Sequence, residues 1–331
     1  MQVWQDLAQA AEAFGAGGLG SSVVTIGNFD GVHRGHRAVL ERVVGLARAD
    51  ARAAVAVTFD PHPAQVHRPD EAPDLLVGLE DRLELLAGTG LDGVLLLTYT
   101  LDLASLTPEE FVTGYLVDGL RARTVVVGHD VRFGRGNAGT LATMVELGGQ
   151  HGFEVVAVDD VGREGSHLAA AGGGARWSSS GVRALLAEGD VRGAADVLGR
   201  PHRVRGVVVH GDARGRELGF PTANLGGITG MVPADGVYAG RLLRPALAAT
   251  DPDHPDTVLP AAVSVGTNPT FDGVDRRVEA YVLDRADLDL YDEEVVLELV
   301  ERLRPTLRFD GVDELVEQMH ADVARAREIL G

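Results

Sequence analysis

Five apolar runs, each about the length of a single strand, punctuate the first half of the chain: Val23–Gly27, Ala54–Phe59, Gly93–Thr98, Thr124–Gly128 and Glu154–Val158. Between them, apolar residues recur with helical spacing over Arg37–Ala49, Leu79–Ala87, Pro108–Leu120 and Thr140–His151. The third of these helices opens on a capping box, Thr107-Pro108-Glu109-Glu110, with proline at the first helical position. Continuously apolar strands alternating with helices predict βαβ units and a parallel, doubly wound sheet. Such sheets bind ligands outside the carboxyl ends of their strands, so a site is expected in the segments that follow each run.

The alternation stops at a Gly-, Ala- and Ser-rich stretch, Gly162–Ser180, followed by two short helical patterns, Gly181–Glu188 and Val191–Leu198. From Arg203 the strand runs Val204–Val209, Val237–Leu243, Ala261–Val265, Val278–Leu283 and Val295–Val300 follow without long helices between them, interrupted by a polar excursion over Ala249–Thr257. That spacing suits an antiparallel barrel or sandwich, and a helix over Val312–Leu330 closes the chain. A length of 331 residues fits two domains. The expected fold is a Rossmann-like parallel α/β domain over 1–197, then an antiparallel β-barrel domain over 198–331 with a C-terminal helix.

Composition narrows the chemistry. The 30 basic residues are all arginine, there is no lysine and no cysteine, and 49 acidic residues bring the net charge to -19. A P-loop or a protein-kinase site needs its lysine, and thiol nucleophiles, zinc-thiolate sites, disulfides and Schiff-base lysines are excluded with them. GC-rich coding is the bland explanation of the missing lysine. The acidic balance argues against non-specific nucleic-acid binding. No run approaches the roughly 18 apolar residues of a membrane span. The acidic, amphipathic N-terminus MQVWQDLAQAAEAF lacks the features of a signal peptide, so a cytoplasmic location is expected.

The first strand runs into Gly27-Asn28-Phe29-Asp30-Gly31-Val32-His33-Arg34-Gly35-His36, with a helix after it. A strand-to-helix turn gathers free N–H groups and a positive dipole end, which suits an anion. Gly27, Gly31 and Gly35 allow a polyphosphate to approach the backbone. His33 and His36, three residues apart, point the same way and can donate to phosphate oxygens as a pyrophosphate departs. Either histidine alone reads as structural; the pair with glycine between them at this junction reads as a site.

His33-Arg34-Gly35-His36 resembles the HxGH signature of nucleotidyltransferases. The longer string TIGNFDGVHRGH resembles the adenylyltransferase module of bacterial bifunctional riboflavin kinase/FMN adenylyltransferases. Phe59-Asp60-Pro61-His62-Pro63 resembles that family's FDPHP segment. Gly128-His129-Asp130-Val131-Arg132-Phe133-Gly134 resembles its G-x-[DN]-F-R-F-G loop, with Val131 in place of phenylalanine. Ser178-Ser179-Ser180-Gly181-Val182-Arg183 resembles its SSTxIR motif, with Ser180 a plausible helix N-cap. The resemblance implies that His33, His36, Ser180 and Arg183 hold the ATP phosphates, with Gly27 and Gly35 beside them. It implies too that Asn28 and Asp30 shape the reaction centre, and that Phe59, Asp130 and Phe133 lie near the flavin.

In the second half, Gly211, Gly215 and Gly219 with Arg214 and Arg216 between them suit a phosphate-wrapping loop. Thr222 and Asn224 alternate around Ala223, so in an extended segment their oxygens face one side and suit Mg²⁺ shared with ATP phosphates. Glu279, inside the apolar run VEAYVL, can serve as general base on a hydroxyl. The plain alternative for Glu279 is an outward-facing edge-strand glutamate, and for the loop a glycine-rich hairpin. The string from Gly211 through Asn224 resembles the riboflavin kinase block G-x-x-x-G-R-x-L-G-F-P-T-A-N-L. Further blocks follow in order: Gly236-Val237-Tyr238-Ala239, then Ser264–Phe271 and Val278–Asp284. Leu290-Tyr291-Asp292 departs from the family's LYG.

By this resemblance Gly211, Gly215, Arg216 and Gly219 bind ATP, Thr222 and Asn224 hold Mg²⁺, and Glu279 deprotonates the ribityl hydroxyl of riboflavin. The whole chain is then expected to convert riboflavin to FMN in its second domain and FMN to FAD in its first, with riboflavin, FMN and ATP as its small-molecule substrates and no nucleic-acid or membrane partner. The alternatives are a chain whose kinase alone is active, a non-catalytic flavin-binding regulator, and another HxGH nucleotidyltransferase.

Overall fold

Unbroken apolar character puts the early strands at the centre of a sheet. In the computed structural model, which describes residues 1–15, 17–159, 177–211, 219–270 and 273–331, strands β1 (Gln2–Trp4), β2 (Ser22–Ile26), β3 (Ala53–Asp60), β4 (Gly93–Thr98), β5 (Ala122–Gly128) and β6 (Glu154–Val158) form one six-stranded sheet. Every pairing is parallel, in the order β1-β4-β3-β2-β5-β6. The residues from Ala53 to Thr58 are all buried, as a central strand covered on both faces requires. The chain lays β3 and β4 to one side of β2, then returns to place β5 and β6 on the other. The change of direction opens a crevice at the carboxyl ends of β2 and β5, where Gly27–His36 and Gly128–Phe133 follow.

Strand β1 lay outside the expected set because three residues are too few to show a period. Its anchor is Trp4, which is buried; a Cβ at Gly93 on the neighbouring strand would stand 2.2 Å from the indole, so that glycine makes room for it. The helix expected over Pro108–Leu120 is an α-turn at Pro108–Phe111 continued by a π-helix at Val112–Gly119. Its capping box is present, with Thr107 Oγ1 accepting from the Glu110 N–H at 3.2 Å and Glu110 Oε2 accepting from the Thr107 N–H at 2.7 Å.

The second half forms a closed six-stranded antiparallel barrel of β7 (His202–Val209), β8 (Ala223–Thr229), β9 (Gly236–Leu243), β10 (Val258–Thr270), β11 (Gly273–Val282) and β12 (Glu294–Arg304), in the order β10-β11-β8-β7-β12-β9. Closure leaves no strand with an unpaired edge. β8, sequence ANLGGIT, has no apolar run, and its sequence shows only an extended segment around Thr222 and Asn224; its pairing with β7 and β11 makes it a strand. Tyr238 is fully buried and its hydroxyl donates to the Ala234 carbonyl. Arg203 and Glu298 stand opposite each other on β7 and β12 and pair at 2.8 Å. The C-terminal helix Val312–Leu330 is fastened by Arg304, whose Nε and Nη2 donate to the buried Asp322 carboxylate at 3.0 and 2.8 Å.

By packing, the chain divides into Met1–Pro73 with Leu79–Ser178, and Asp74–Gly78 with Ser179–Gly331. The helices Ser179–Glu188 and Val191–Leu198 belong with the barrel, where Arg302 Nη1 donates to the Glu188 carbonyl at 3.1 Å. Residues 74–78 join them: Leu76 and Val77 are buried, and the Asp74 carbonyl accepts from Arg183 Nε at 2.7 Å. Among the described residues no helix is long and apolar enough to cross a membrane.

Candidate active sites

The segment after β2 is a turn that ordinary backbone rarely makes. Phe29, Gly31 and Val32 all take positive φ, at 48°, 79° and 39°. For the β-branched Val32, fully buried, this is a strained conformation that only over-determined surroundings maintain. The Phe29 ring covers Gly27, where a Cβ would lie 3.1 Å from the ring carbon Cζ, and meets His36 edge-on with centroids 5.3 Å apart.

The helix that follows starts at Arg34, three residues earlier than its periodicity suggested, with His33 as its N-cap. His33 Nδ1 accepts the His36 N–H at 3.3 Å, so a neutral His33 carries its proton on Nε2 and keeps that N–H as a donor. The two imidazoles stack with centroids 3.7 Å apart. Gly35 gives the His33 ring room, since a Cβ there would sit 3.1 Å from His33 Cε1 and Nδ1. Burial, and secondarily the neighbouring His33, hold the His36 pKa well below 6.5, and its Nδ1 is buried without a hydrogen-bond partner. His36 as a whole is partly buried, whereas Asp30 and His33 are buried.

The end of β3 is tied to this turn. His62 Nδ1 accepts the Ala64 N–H at 3.1 Å, which leaves the proton of a neutral His62 on Nε2. That nitrogen lies 3.1 Å from Asn28 Nδ2; two N–H groups cannot bond each other, so the carboxamide turned over, with its oxygen accepting from His62 Nε2–H, is the assignment that fits the contact. The Asn28 carbonyl accepts from Thr58 Oγ1 and from Arg82 Nη1, both at 3.2 Å, and Arg82 Nη2 reaches Asp60 Oδ1 at 3.2 Å. Thr58, His62 and Arg82 were not singled out from sequence. The signal for Arg82 is its position on the buried stripe of the helix Leu79–Ala87, with Asp81, Leu85 and Leu86, where a charged residue needs a reason.

Of the residues linked to the flavin, Phe59 is partly buried and meets Tyr99 edge-on at 5.6 Å. Asp130 is exposed in the turn after β5, close enough that a Cβ on Gly128 would lie 3.1 Å from its Oδ1. Phe133 is buried and belongs to the hydrophobic core with Phe111, supporting the turn from beneath. Val131 and Phe59 pack against the same core.

In the second unit, register aligns the residues. Asn224 on β8 stands opposite Val209 on β7 and Glu279 on β11, and Glu279 stands opposite Ser264 on β10. Directly opposed residues share a face, and Val209 is 40% exposed, so Asn224 and Glu279 lie on the outer face of the barrel. Glu279 is not on an edge: β11 is paired on both sides, and the flanking Val278 and Ala280 are buried. Asn224 Nδ2 donates to the Thr222 carbonyl at 3.4 Å. A Cβ on Gly211 would come within 2.5 Å of Asn224 Nδ2. Gly211 and Asn224 line a cavity of about 490 Å³ with Val209, Ile228 and Arg276.

Gly219 takes φ 88°; Gly215 and Arg216 lie outside the described residues. Ser180 lies within the first turn of the helix Ser179–Glu188 rather than at its cap, and Ser180 and Arg183 belong to the second packing unit, the histidine pair to the first. Asp292, where the LYG pattern has glycine, adopts φ 60°, a conformation that aspartate tolerates better than most residues. The preceding Tyr291 stacks on His210 at 3.9 Å.

Residues 18–170 match the family model FAD synthetase and residues 198–330 the model Riboflavin kinase. Relatives described as bifunctional riboflavin kinase/FMN adenylyltransferase include one from Escherichia coli (strain K12), 36% identical over 93% of each chain. One from Pseudomonas fluorescens is 37% identical over 93% of this chain and 92% of the relative, and one from Bacillus subtilis (strain 168) is 32% identical over 92% and 91%. A solved structure from Streptococcus pneumoniae, described as a macrolide-efflux protein, covers 99% of both chains at 31% identity with a TM-score of 0.82.

Proposed function

This chain belongs to the bifunctional riboflavin kinase/FMN adenylyltransferase family, and we propose that its two modules, matched over residues 18–170 and 198–330, each carry out one of the two steps. The second converts riboflavin and ATP to FMN and ADP; the first converts FMN and ATP to FAD and pyrophosphate. The observation that carries this reading is the coincidence of motif and topology: the histidine pair begins a helix at the sheet's switch point, and Asn224 stands opposite Glu279 on adjacent barrel strands.

In the adenylyl transfer, a phosphate oxygen of FMN attacks the α-phosphorus of ATP and pyrophosphate leaves. His33 donates through Nε2–H, and the free N–H groups of its helix add to it, so negative charge growing on the departing phosphates meets preorganised donors. His36, whose proton affinity burial lowers, stacks on His33 and shares the contact with the ATP phosphates. Gly27 and Gly35 let the ATP phosphates approach. Asn28 and Asp30 shape the reaction centre; Phe59 and Asp130 form the flavin side, with Phe133 in the core that Phe59 packs against.

In the kinase, Glu279 takes the proton of the primary ribityl hydroxyl as its oxygen attacks the γ-phosphorus, and ADP leaves. Gly211, Gly215, Arg216 and Gly219 wrap the ATP phosphates. The Thr222 hydroxyl and the Asn224 carboxamide oxygen would hold Mg²⁺; these are neutral oxygen donors of the kind it shares with phosphates, and Gly211 leaves open the space beside Asn224 that a Cβ would fill. Bound there, the ion would neutralise phosphate charge. We place the enzyme in the cytoplasm, with riboflavin, FMN and ATP as its partners. The net charge of -19 disfavours nucleic acid, and nothing in the described helices is built to span a membrane.

The test is to incubate the purified chain with riboflavin, ATP and Mg²⁺ and resolve flavins chromatographically over time. FMN followed by FAD is expected. FMN alone would strip the first module of its assigned step, and neither product would overturn the enzyme reading.

A further inference from the structure

A buried arginine needs a reason to stay buried, because burial disfavours its charge and orphans its N–H groups. Arg82 is 2% exposed. Burial lowers its pKa, and the carboxylates of Asp60 and Asp30 pull the other way. Its Nη1 donates to the carbonyl of Asn28 and its Nη2 to Asp60 Oδ1, each at 3.2 Å, while Nε is buried without a partner. The planar fork therefore spans two separate chain segments, the turn after β2 and the end of β3.

What Arg82 grips is the entry to the strained turn. Asn28 immediately precedes Phe29, the first residue with positive φ, and Val32 and His33 complete that turn into the helix. The Asn28 side chain is held from the β3 side by His62, which belongs to the same segment as Asp60. Two donors, Thr58 and Arg82, hold the Asn28 carbonyl. Thr58 does so from β3 itself; Arg82 adds a third segment, the helix Leu79–Ala87, and carries a charge to set against Asp60 and the buried Asp30.

We propose that Arg82 is the positioning residue of the adenylyl-transfer site, fixing Asn28, and through the turn His33, by clamping the Asn28 carbonyl to Asp60 from beneath the reaction centre. This rests on the assignment of adenylyl transfer to the first module. Arg82 does not touch substrate in this account; it sets the geometry of groups that do, and small misplacement of such groups costs rate rather than substrate affinity.

The test compares the full-length chain with Arg82→Lys and Asp60→Asn. Steady-state FAD formation from supplied FMN, FMN formation from riboflavin and thermal unfolding are measured on the same preparations. A lysine keeps the charge but cannot span both acceptors, so kcat for FAD formation should fall about 30-fold, with KM for ATP changed by less than about 3-fold. Asp60→Asn, at a half-exposed carboxylate, should give a smaller loss of the same kind, about 5-fold. FMN formation should stay within about 2-fold of the unmodified chain in both. Unchanged kcat in both variants overturns the inference. So does a loss confined to KM for ATP, which would make Arg82 a direct phosphate ligand. A parallel fall of both activities with the unfolding temperature would also overturn it, reducing Arg82 to a stability residue. If the unmodified chain makes no FAD from FMN, the site assignment and this inference fall together. If it does and Arg82→Lys matches it, the inference falls alone.

Discussion

His33 and His36 lie face to face, their ring centroids 3.7 Å apart and their planes within 19° of parallel. The contact follows from the cap: by accepting the His36 N–H, His33 folds its imidazole back over Gly35 and onto the ring one turn later. Two imidazoles this close do not both carry charge comfortably, which fits the low proton affinity of His36.

That depression sets a pH dependence of stability. Between the folded pKa of His36 and the ordinary value of 6.5 the unfolded chain binds a proton that the native chain does not. Stability therefore falls as pH drops through 6.5, levels off only below the folded pKa, and is fully present above 6.5. The slope from this one group is at most about 1.4 kcal/mol per pH unit. Denaturant unfolding at pH 7.5, 6.5 and 5.5 should show that slope reduced in His36→Gln. An identical slope in both proteins would remove His36 as its source.

Gly35→Ala tests the stack itself. Its Cβ would meet His33 Cε1 and Nδ1 at 3.1 Å, so the His33 ring is pushed by a few tenths of an ångström from its place over residue 35. FAD formation should drop by about 10-fold or more while the kinase step is unaffected. Equal rates for the variant and the unmodified chain would show that the His33 orientation seen here is not the working one.

Gly211→Ala asks whether Asn224 holds the metal. The new methyl would come within 2.5 Å of Asn224 Nδ2 and displace the carboxamide. The Mg²⁺ concentration giving half-maximal FMN formation should rise about 10-fold, with adenylyl transfer from supplied FMN unaltered. A lower rate with the same Mg²⁺ requirement would move the metal away from Asn224.

Glu279→Gln keeps shape and strand register but removes the base. FMN formation should fall by about 100-fold or more, while supplied FMN is still converted to FAD. If both steps fell equally in a folded variant, the two activities would not have separate sites.

The motif strings, the alternation of strands and helices, and the later run of strands were all legible in the sequence, because each rests on near neighbours: period, caps and turn residues. The same reasoning reached His33, His36 and Glu279 as chemistry-bearing residues, and the capping box at Thr107 and Glu110. What it could not reach depends on partners far away in the chain. β8 is a strand because β7 and β11 bond to it, and β1 is one because it pairs with β4, where Gly93 leaves room for Trp4. Asn224 faces Glu279 across a gap of more than fifty residues, and Arg82 meets Asn28 across a similar one. Local chemistry decides which residues are suited to a task; closure of the barrel and the turn-back at β2 and β5 decide which of them meet. Packing, a long-range balance of buried area against polar satisfaction, is where that second decision is made.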